Sequence, residues 1–336
     1  MDINSKKAII MMATYNGEKY VEQQIKSLQQ QTFCNWELFI SDDNSTDKTL
    51  SVIHKLQKKD SRIKKVISNS NHYHGAYANF FNIMHYVKKH CNDYGYYFFC
   101  DQDDKWAENK IELQIKRISK YDAKVPVFCY CNLELCNQNL KDLHDSMADH
   151  IVTQFAENPY NSFFKEQYVW GTSMAFNLAL WKKVPVAPVE VVRNDLTHDG
   201  YISKIAAIIH ANIEYISEPL ISYRRTGANV SGTPRNYHGF EILKRIFKFN
   251  VLVDNAASTF NSSIYVTQVV NSTNELIKDV KKCFLGTPLD AVNFINKYNI
   301  LQKEPFLGTV STKIILYLRL YKLSKVFKNN FYEVKE

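Results

Sequence analysis

The first hundred residues alternate short apolar runs with stretches in which apolar residues recur every three or four positions. Residues 8–13, 36–41, 63–68 and 96–100 are short runs rich in apolar, β-branched and aromatic side chains, and they predict strands. Between them Val21, Ile25 and Leu28 fall on one helical face, and residues 49–56 and 80–87 predict two more helices. Alternation at this spacing predicts an α/β fold with a mostly parallel, doubly wound sheet flanked by helices. From about residue 124 the pattern loosens. Residues 127–135 and 169–176 predict strands, 177–184 a helix that stops before Pro185, and 185–194 a loop. A helix over 202–209 and short strands over 213–216 and 220–223 follow. Beyond Thr233-Pro234 the pattern is helical and rich in lysine and aromatic residues. The expected organisation is a catalytic domain over 1–232 and a basic helical extension over 233–336.

In an open α/β sheet, ligands bind at the carboxyl ends of the strands. Three such ends carry candidate chemistry. Asp101-Gln102-Asp103-Asp104 follows the apolar run at 96–100. Clustered carboxylates repel one another, so a fold gains nothing from them unless they hold a cation or face solvent. Alone, the segment reads equally as an acidic turn. Ala13-Thr14-Tyr15-Asn16-Gly17 follows the first predicted strand. Asn16 and Gly17 suit a tight turn, the next helix offers N–H groups to an anion, and Tyr15 can stack on a base. Ser41-Asp42-Asp43-Asn44 follows the second strand and continues as Ser45-Thr46-Asp47-Lys48-Thr49. An acid here can accept from a base N–H or a ribose hydroxyl. Asn44 suits the left-handed backbone region, and Asp47 suits a helix cap.

Together these segments resemble the signatures of family 2 glycosyltransferases with the GT-A fold, and the wording is closest to bacterial polysaccharide rhamnosyltransferase-like enzymes. Two later segments extend the resemblance. Residues 169–176 (Val-Trp-Gly-Thr-Ser-Met-Ala-Phe) resemble the family's acceptor-side strand. Thr197-His198-Asp199-Gly200-Tyr201, with residues 218–232, resembles its catalytic helix and C-terminal loop. The match spans roughly residues 6–232, and five motifs in order are far more specific than any one.

The resemblance implies roles. Thr14, Tyr15, Asn16, Asp42 and Asp43 would hold the nucleoside. Asp101 would meet the ribose and, with Asp103, a divalent cation, Mn²⁺ or Mg²⁺. Arg224 would contact the donor phosphates. Asp199 would be the general base, and Trp170, Gly171, Thr172 and His198 would face the acceptor. Relatives often carry His where this chain has Thr226, and an aromatic residue where it has Gly200. The implied reaction is inverting, metal-dependent transfer of a sugar, L-rhamnose as first choice, from a dTDP- or UDP-linked donor to a glycan hydroxyl in bacterial surface polysaccharide synthesis. UDP-hexose or UDP-N-acetylhexosamine transfer is the alternative within the fold. Trp106 and Trp170 are candidate sugar platforms. His72 and His74 lack a third ligand and do not suggest a metal site.

Composition narrows the remaining classes. Hydrophobic content of 45% and charged content of 23% are those of a globular chain with a sizeable core. Seven cysteines without a framework spacing read as reduced, buried thiols. The absence of a signal peptide or an 18-residue apolar run leads us to expect a cytoplasmic protein. Net charge is +8, and residues 235–336 hold 15 Lys/Arg against 8 Asp/Glu. Ile314, Ile315, Leu318 and Leu323 alternate there with Lys313, Arg319 and Lys322, as do Ile242, Ile246 and Phe247 with Lys244, Arg245 and Lys248. That pattern fits either a helix packed on the catalytic domain or peripheral contact with the inner face of the membrane, where a lipid-linked acceptor would lie. A nucleic-acid-binding protein is disfavoured, because the basic residues lie far in sequence from the nucleotide motifs and no binding module is present. A sugar nucleotidyltransferase would need a Gly-rich phosphate loop near the N-terminus, and a non-catalytic glycan-binding relative need not keep both the acidic motif and Asp199.

Overall fold

The computed structural model describes residues 6–70, 72–92, 94–165, 168–188, 196–226, 249–304 and 306–328. The chain divides into two compact units. The first comprises residues 1–149, 169–194 and 211–233, and the second 150–168, 195–210 and 234–336. Residues 150–168 and 195–210, which the sequence reading placed within 1–232, thus cluster with the C-terminal helices.

The first unit opens with β1 (Lys7–Thr14), α1 (Val21–Gln29), β2 (Trp36–Asp42), α2 (Thr49–Gln57), β3 (Ile63–Ser68), α3 (Ala76–His90) and β4 (Tyr94–Cys100). It continues with β5 (Lys105–Trp106), α4 (Lys110–Ile118), β6 (Val127–Asn137), β7 (Asp142–Ser146), β8 (Met174–Asn177), α5 (Leu178–Lys183) and, after residue 211, β9 (Asn212–Arg225). The sheet order is β3-β2-β1-β4-β8-β6-β9-β5, with β7 on β6. β3, β2, β1 and β4 run parallel, whereas β8 is antiparallel to both β4 and β6. Ile9, Ile10, Met11 and Met12 are buried, as a central parallel strand covered on both faces requires. The chain steps from β1 outward to β2 and β3, then returns to β4 on the other side of β1. The carboxyl ends of β1 and β4 therefore flank a topological switch point, where such sheets open a crevice.

Three sequence expectations change. Residues 169–176 form a short 3-10 turn over Gly171–Ser173 before β8 begins at Met174. Ser173 closes that turn, its N–H and hydroxyl both donating to the Trp170 carbonyl. The two short strands over 213–223 are one strand, β9, which passes Pro219 through an irregular register against β6. α4, absent from the sequence reading, buries Lys110 and Gln114 alongside Ile111, Ile115 and Ile118, so polar residues interrupt its apolar face.

The second unit contains α6 (His198–Ile208), α7 (Phe249–Val269), α8 (Glu275–Leu285), α9 (Pro288–Lys297), α10 (Phe306–Tyr317) and α11 (Lys325–Lys328). Phe260 lies within 6 Å of Phe164, Phe284 and Tyr321, so aromatic contacts fill its core. Asn274 caps α8, and a Thr287/Asp290 capping box starts α9. Of the basic C-terminal pattern, Ile315, Leu316 and Tyr321 are buried, while Ile314, Leu318 and Leu323 face solvent. Ile242, Lys244, Arg245, Ile246, Phe247 and Lys248 lie outside the described residues. Among the described residues no helix is long and apolar enough to cross a membrane.

Candidate active site

Three strand ends build the site in the first unit. At the end of β2, Asp42 is 1% exposed and its carboxylate is turned inward. It accepts from the Thr14 hydroxyl (2.8 Å), the Ser45 hydroxyl (2.7 Å) and the Ser45 N–H (2.8 Å). Asp43 is also buried and accepts from Asn69 Nδ2 (2.7 Å), His74 Nδ1 (2.8 Å) and the Gly75 N–H (2.7 Å). The Asp43 N–H in turn donates to the Thr14 carbonyl at 2.9 Å. Gly75 has φ 103°, a left-handed value that aims its N–H at Asp43 and that other residues rarely adopt. Thr14 and Asp42 thus brace the turn from inside rather than presenting free groups. Each carboxylate has used three of roughly four acceptor positions, which leaves about one apiece.

The β1 turn is fixed from two directions. Asn16 has φ 44°, donates its N–H to the Ser45 hydroxyl (2.9 Å) and accepts from the Thr46 N–H (2.9 Å). Asp47, expected as a helix cap, instead lies one residue before the Lys48 N-cap of α2 and ties the turns together, accepting from the Thr49 N–H (2.9 Å) and the Glu18 N–H (3.0 Å). From the β4 side, Gln102 binds both backbone groups of Tyr15. The Tyr15 ring is 54% exposed and is the open face of this turn.

Asp101 and Asp103 lie just past the end of β4. Burial raises the Asp103 pKa, which the nearby Arg224 charge offsets only in part. Asp104 is fully buried, and burial together with Asp103 and Asp101 pushes its pKa well up. Its Oδ1 accepts from the Arg224 N–H at 3.0 Å. Burial and mutual repulsion thus disfavour the ionised form of these carboxylates, a penalty that a hard divalent cation would relieve. Among the described residues no cluster of three or more His, Cys, Asp or Glu side chains forms a ready-made cage. The ordinary protein share of a Mg²⁺-type site in nucleotide enzymes is nonetheless one or two carboxylates, with water and phosphate completing the shell. The residues present therefore fit such a cation.

Arg224 is held by acceptors of the protein itself. Its guanidinium is buried and donates to the Asp103 carbonyl (2.6 Å), Gln23 Oε1 (2.6 Å) and the Gln138 carbonyl, with its carbon 4.5 Å from the Tyr20 ring centroid. It acts here as a clamp that fixes the Asp103 backbone, because its donors are directed at protein acceptors. The tryptophans, which could serve as platforms or as core, are both enclosed. Trp106 is buried with Lys110 Nζ 3.7 Å from its ring centroid, and Trp170 is buried, so neither offers an open sugar platform. Gly171 and Thr172 are buried, and the Thr172 hydroxyl accepts from Trp106 Nε1 at 3.3 Å. Burial lowers the Lys110 pKa to about 8.

His198 and Asp199 belong to the second unit, in the first turn of α6. Thr197, not Asp199, caps this helix, its hydroxyl accepting from the Gly200 N–H at 3.0 Å. A carboxylate in the first turn is favoured by the helix dipole. Asp199 Oδ1 accepts from the same N–H at 2.7 Å, which leaves Oδ2 as the freer oxygen. Burial lowers the His198 pKa to about 4, against a smaller raising effect of Asp199. The imidazole is therefore neutral near pH 7. Residues 227–232 of the expected C-terminal loop lie outside the described residues.

Asn69, Gly75 and Gln23 support the site without having been singled out from the sequence, and Gln102, His74 and Asp104 do so in roles that the sequence did not assign them. Their partners lie 26 to 201 positions away, so no local spacing could have revealed them.

The chain is similar in sequence and in fold to known proteins. The sequence model described as glycosyl transferase family 2 matches residues 9–179. The chain is 28% identical over 228 residues to dTDP-rhamnosyl transferase RfbG of Shigella flexneri, covering 66% of this chain and 75% of that protein. It is 34% identical over 130 residues to the Escherichia coli UDP-Glc:alpha-D-GlcNAc-diphosphoundecaprenol beta-1,3-glucosyltransferase WfgD, covering 39% of this chain and 47% of that relative. The structure of S. aureus TarS 1-349 in complex with UDP has a TM-score of 0.55 at 15% identity, covering 97% of this chain and 89% of that one. That likeness is one of fold, the GT-A glycosyltransferase architecture. The chain is a glycosyltransferase and belongs to glycosyl transferase family 2.

Proposed function

We propose that this enzyme transfers a sugar, L-rhamnose as first choice, from a nucleoside-diphosphate donor to a hydroxyl of a growing surface glycan, with inversion and with the help of a divalent cation. The observation that carries the reading is the convergence of two different sites at one switch point. The braced Thr14–Asn16 turn with Asp43 lies at the ends of β1 and β2, and the Asp101/Asp103 pair lies at the end of β4. The first suits a nucleoside and the second a metal diphosphate. The likeness to RfbG, a dTDP-rhamnosyl transferase, supports the choice of sugar. The shorter likeness to WfgD supports UDP-hexose transfer as a second reading, and that relative's diphosphoundecaprenol acceptor supports a lipid-linked acceptor for this chain.

In this reading the base stacks on Tyr15, with the remaining acceptor position of Asp43 available to a base N–H. Asn16, Thr14 and Asp42 hold the turn. Asp101 meets the ribose, and Asp101 and Asp103 hold Mn²⁺ or Mg²⁺. A bound cation supplies charge neutralisation for the departing diphosphate. Arg224 keeps the Asp103 backbone in place. The acceptor oxygen attacks the anomeric carbon as the bond to the diphosphate breaks, and the acceptor proton passes to the Asp199 carboxylate. A positioned base of this kind contributes roughly 10²–10⁴ in rate. A single displacement of this kind inverts the anomeric centre. His198, neutral and buried, orients the acceptor side.

The test is the thermal shift of the purified chain with dTDP, UDP, GDP or CMP, each with and without Mn²⁺, and again with Asp103→Ala. Stabilisation by one nucleotide that needs Mn²⁺ and disappears in the variant is the expected outcome. A folded protein that responds to no nucleotide sinks the reading.

A further inference from the structure

We propose that the turn joining α8 to α9, together with residues 318–325, is a docking face for an anionic phospholipid bilayer. This rests on the reading of a lipid-linked acceptor and adds the surface that would meet the lipid.

The face is built around Arg319. Its backbone is left-handed (φ 56°), and its guanidinium donates to the carbonyls of Cys283 (2.6 Å), Gly286 (3.1 Å) and Thr287. It also donates to the Tyr321 hydroxyl at 3.0 Å, which itself donates to the Phe284 carbonyl. Two separate turns are thereby pinned together, and each carries leucines that point to solvent. Leu289 is 68%, Leu318 66% and Leu323 68% exposed, and Leu285 is nearly half exposed. One exposed leucine is ordinary, but four around one joint form an apolar patch that marks an interaction surface.

Charge decides the occupant. Residues 275–328 hold ten Lys/Arg against four acids. All four acids are engaged. Glu275 and Asp279 hold Lys297 (2.5 and 2.8 Å), Glu304 holds Lys165 (2.6 Å), and Asp290 accepts from Thr287 at the start of α9. Lys322 and Lys325 flank Leu323 in sequence, and Lys282, whose charge Asp279 and Asp290 offset in part, lies three positions before Leu285. Lys322 lies close enough to Arg319 for the two charges to oppose one another. Leucines rimmed by cations are the composition of an interfacial membrane anchor. A second copy of the chain fits poorly, because an isologous contact would bring the same cations face to face.

The test is co-sedimentation of the full chain with vesicles of phosphatidylglycerol and phosphatidylethanolamine, and separately with neutral phosphatidylcholine vesicles. The expected result is binding to the anionic vesicles alone, weakened by salt. Binding should fall about tenfold or more in a Leu289→Ser/Leu318→Ser/Leu323→Ser variant. It should fall about fivefold for each of Lys322→Gln and Lys325→Gln. Leu143→Ser, an exposed leucine of the first unit, should leave it unchanged. Equal binding by the wild type and the folded triple variant, or no binding by the wild type, overturns the proposal. So does a wild-type dimer that the leucine substitutions convert to monomer. The nucleotide thermal shift, measured on the same variants, keeps the two readings apart: it should survive the leucine substitutions, and its absence in the wild type would count against the donor site alone.

Discussion

Gln102 grips the backbone of Tyr15 from both sides: its amide oxygen accepts from the Tyr15 N–H at 3.0 Å, and its amide nitrogen donates to the Tyr15 carbonyl at 2.9 Å. This pair bridges the ends of β1 and β4 across the switch point, so the residue between Asp101 and Asp103 also fixes the turn after β1. Gly17 lies against the same amide. A Cβ there would stand 2.2 Å from Gln102 Oε1, which no ordinary contact permits. Gln102→Ala should raise the donor KM about tenfold while leaving the protein folded, since two net hydrogen bonds contribute about 1–3 kcal/mol. Gly17→Ala should do the same by displacing a flexible side chain. The double variant should be no worse than either single one, because both remove the same grip. Additive losses in steady-state kinetics would refute this coupling.

Arg224→Lys separates a clamp from a phosphate contact. A lysine can satisfy only part of the fork that now reaches the Asp103 carbonyl, the Gln138 carbonyl and Gln23. We expect a loss of about 2–4 kcal/mol in urea unfolding, as for a broken buried network. If the variant instead keeps its stability and loses only donor affinity, the guanidinium contacts phosphate directly.

Much of the parallel half of the fold was legible in the sequence because each strand is a short apolar run whose end carries polar residues. β2 and β3 begin where the pattern places them, and β1 and β4 are extended by one or two residues. What failed was anything decided by tertiary partners. α4 hides Lys110 and Gln114 on its buried face, because Trp106 and Phe98 accept the ammonium over their rings and Gln114 accepts its hydrogen bond. Local apolar periodicity cannot register such a pair. Trp106 and Trp170 looked like platforms because exposure cannot be read from residue type. The sequence places Asp42 and Asp43 at the end of β2 but does not show that each is enclosed by donors from distant segments, such as Thr14 and His74.

Asp43→Asn tests that enclosure. The buried carboxylate faces three donors and has no use for an amide NH₂, which would oppose the Gly75 N–H or the Asn69 amide. The expected cost is about 1–3 kcal/mol of stability, measured by chemical denaturation, with a loss of nucleotide-induced thermal shift. Wild-type stability in this variant would mean that these donors do not depend on the charge.

His198 gives the fold a pH signature. Burial holds its folded pKa at about 4, below the ordinary value of 6.5 that the unfolded chain should show. Between those values the unfolded state takes up a proton that the folded state refuses, so stability must fall as the pH drops from about 7 toward 4, and be fully present above 7. The whole window is worth roughly 3 kcal/mol, and about pH 5 roughly two-thirds of it is already lost. His198→Gln cannot titrate and should remove this component from the slope while leaving the contribution of the carboxylates. Urea unfolding of both proteins at about pH 7 and pH 5 measures the difference. Identical slopes would show that the imidazole titrates as it does in water, and that the first turn of α6 is open to solvent where the structure closes it.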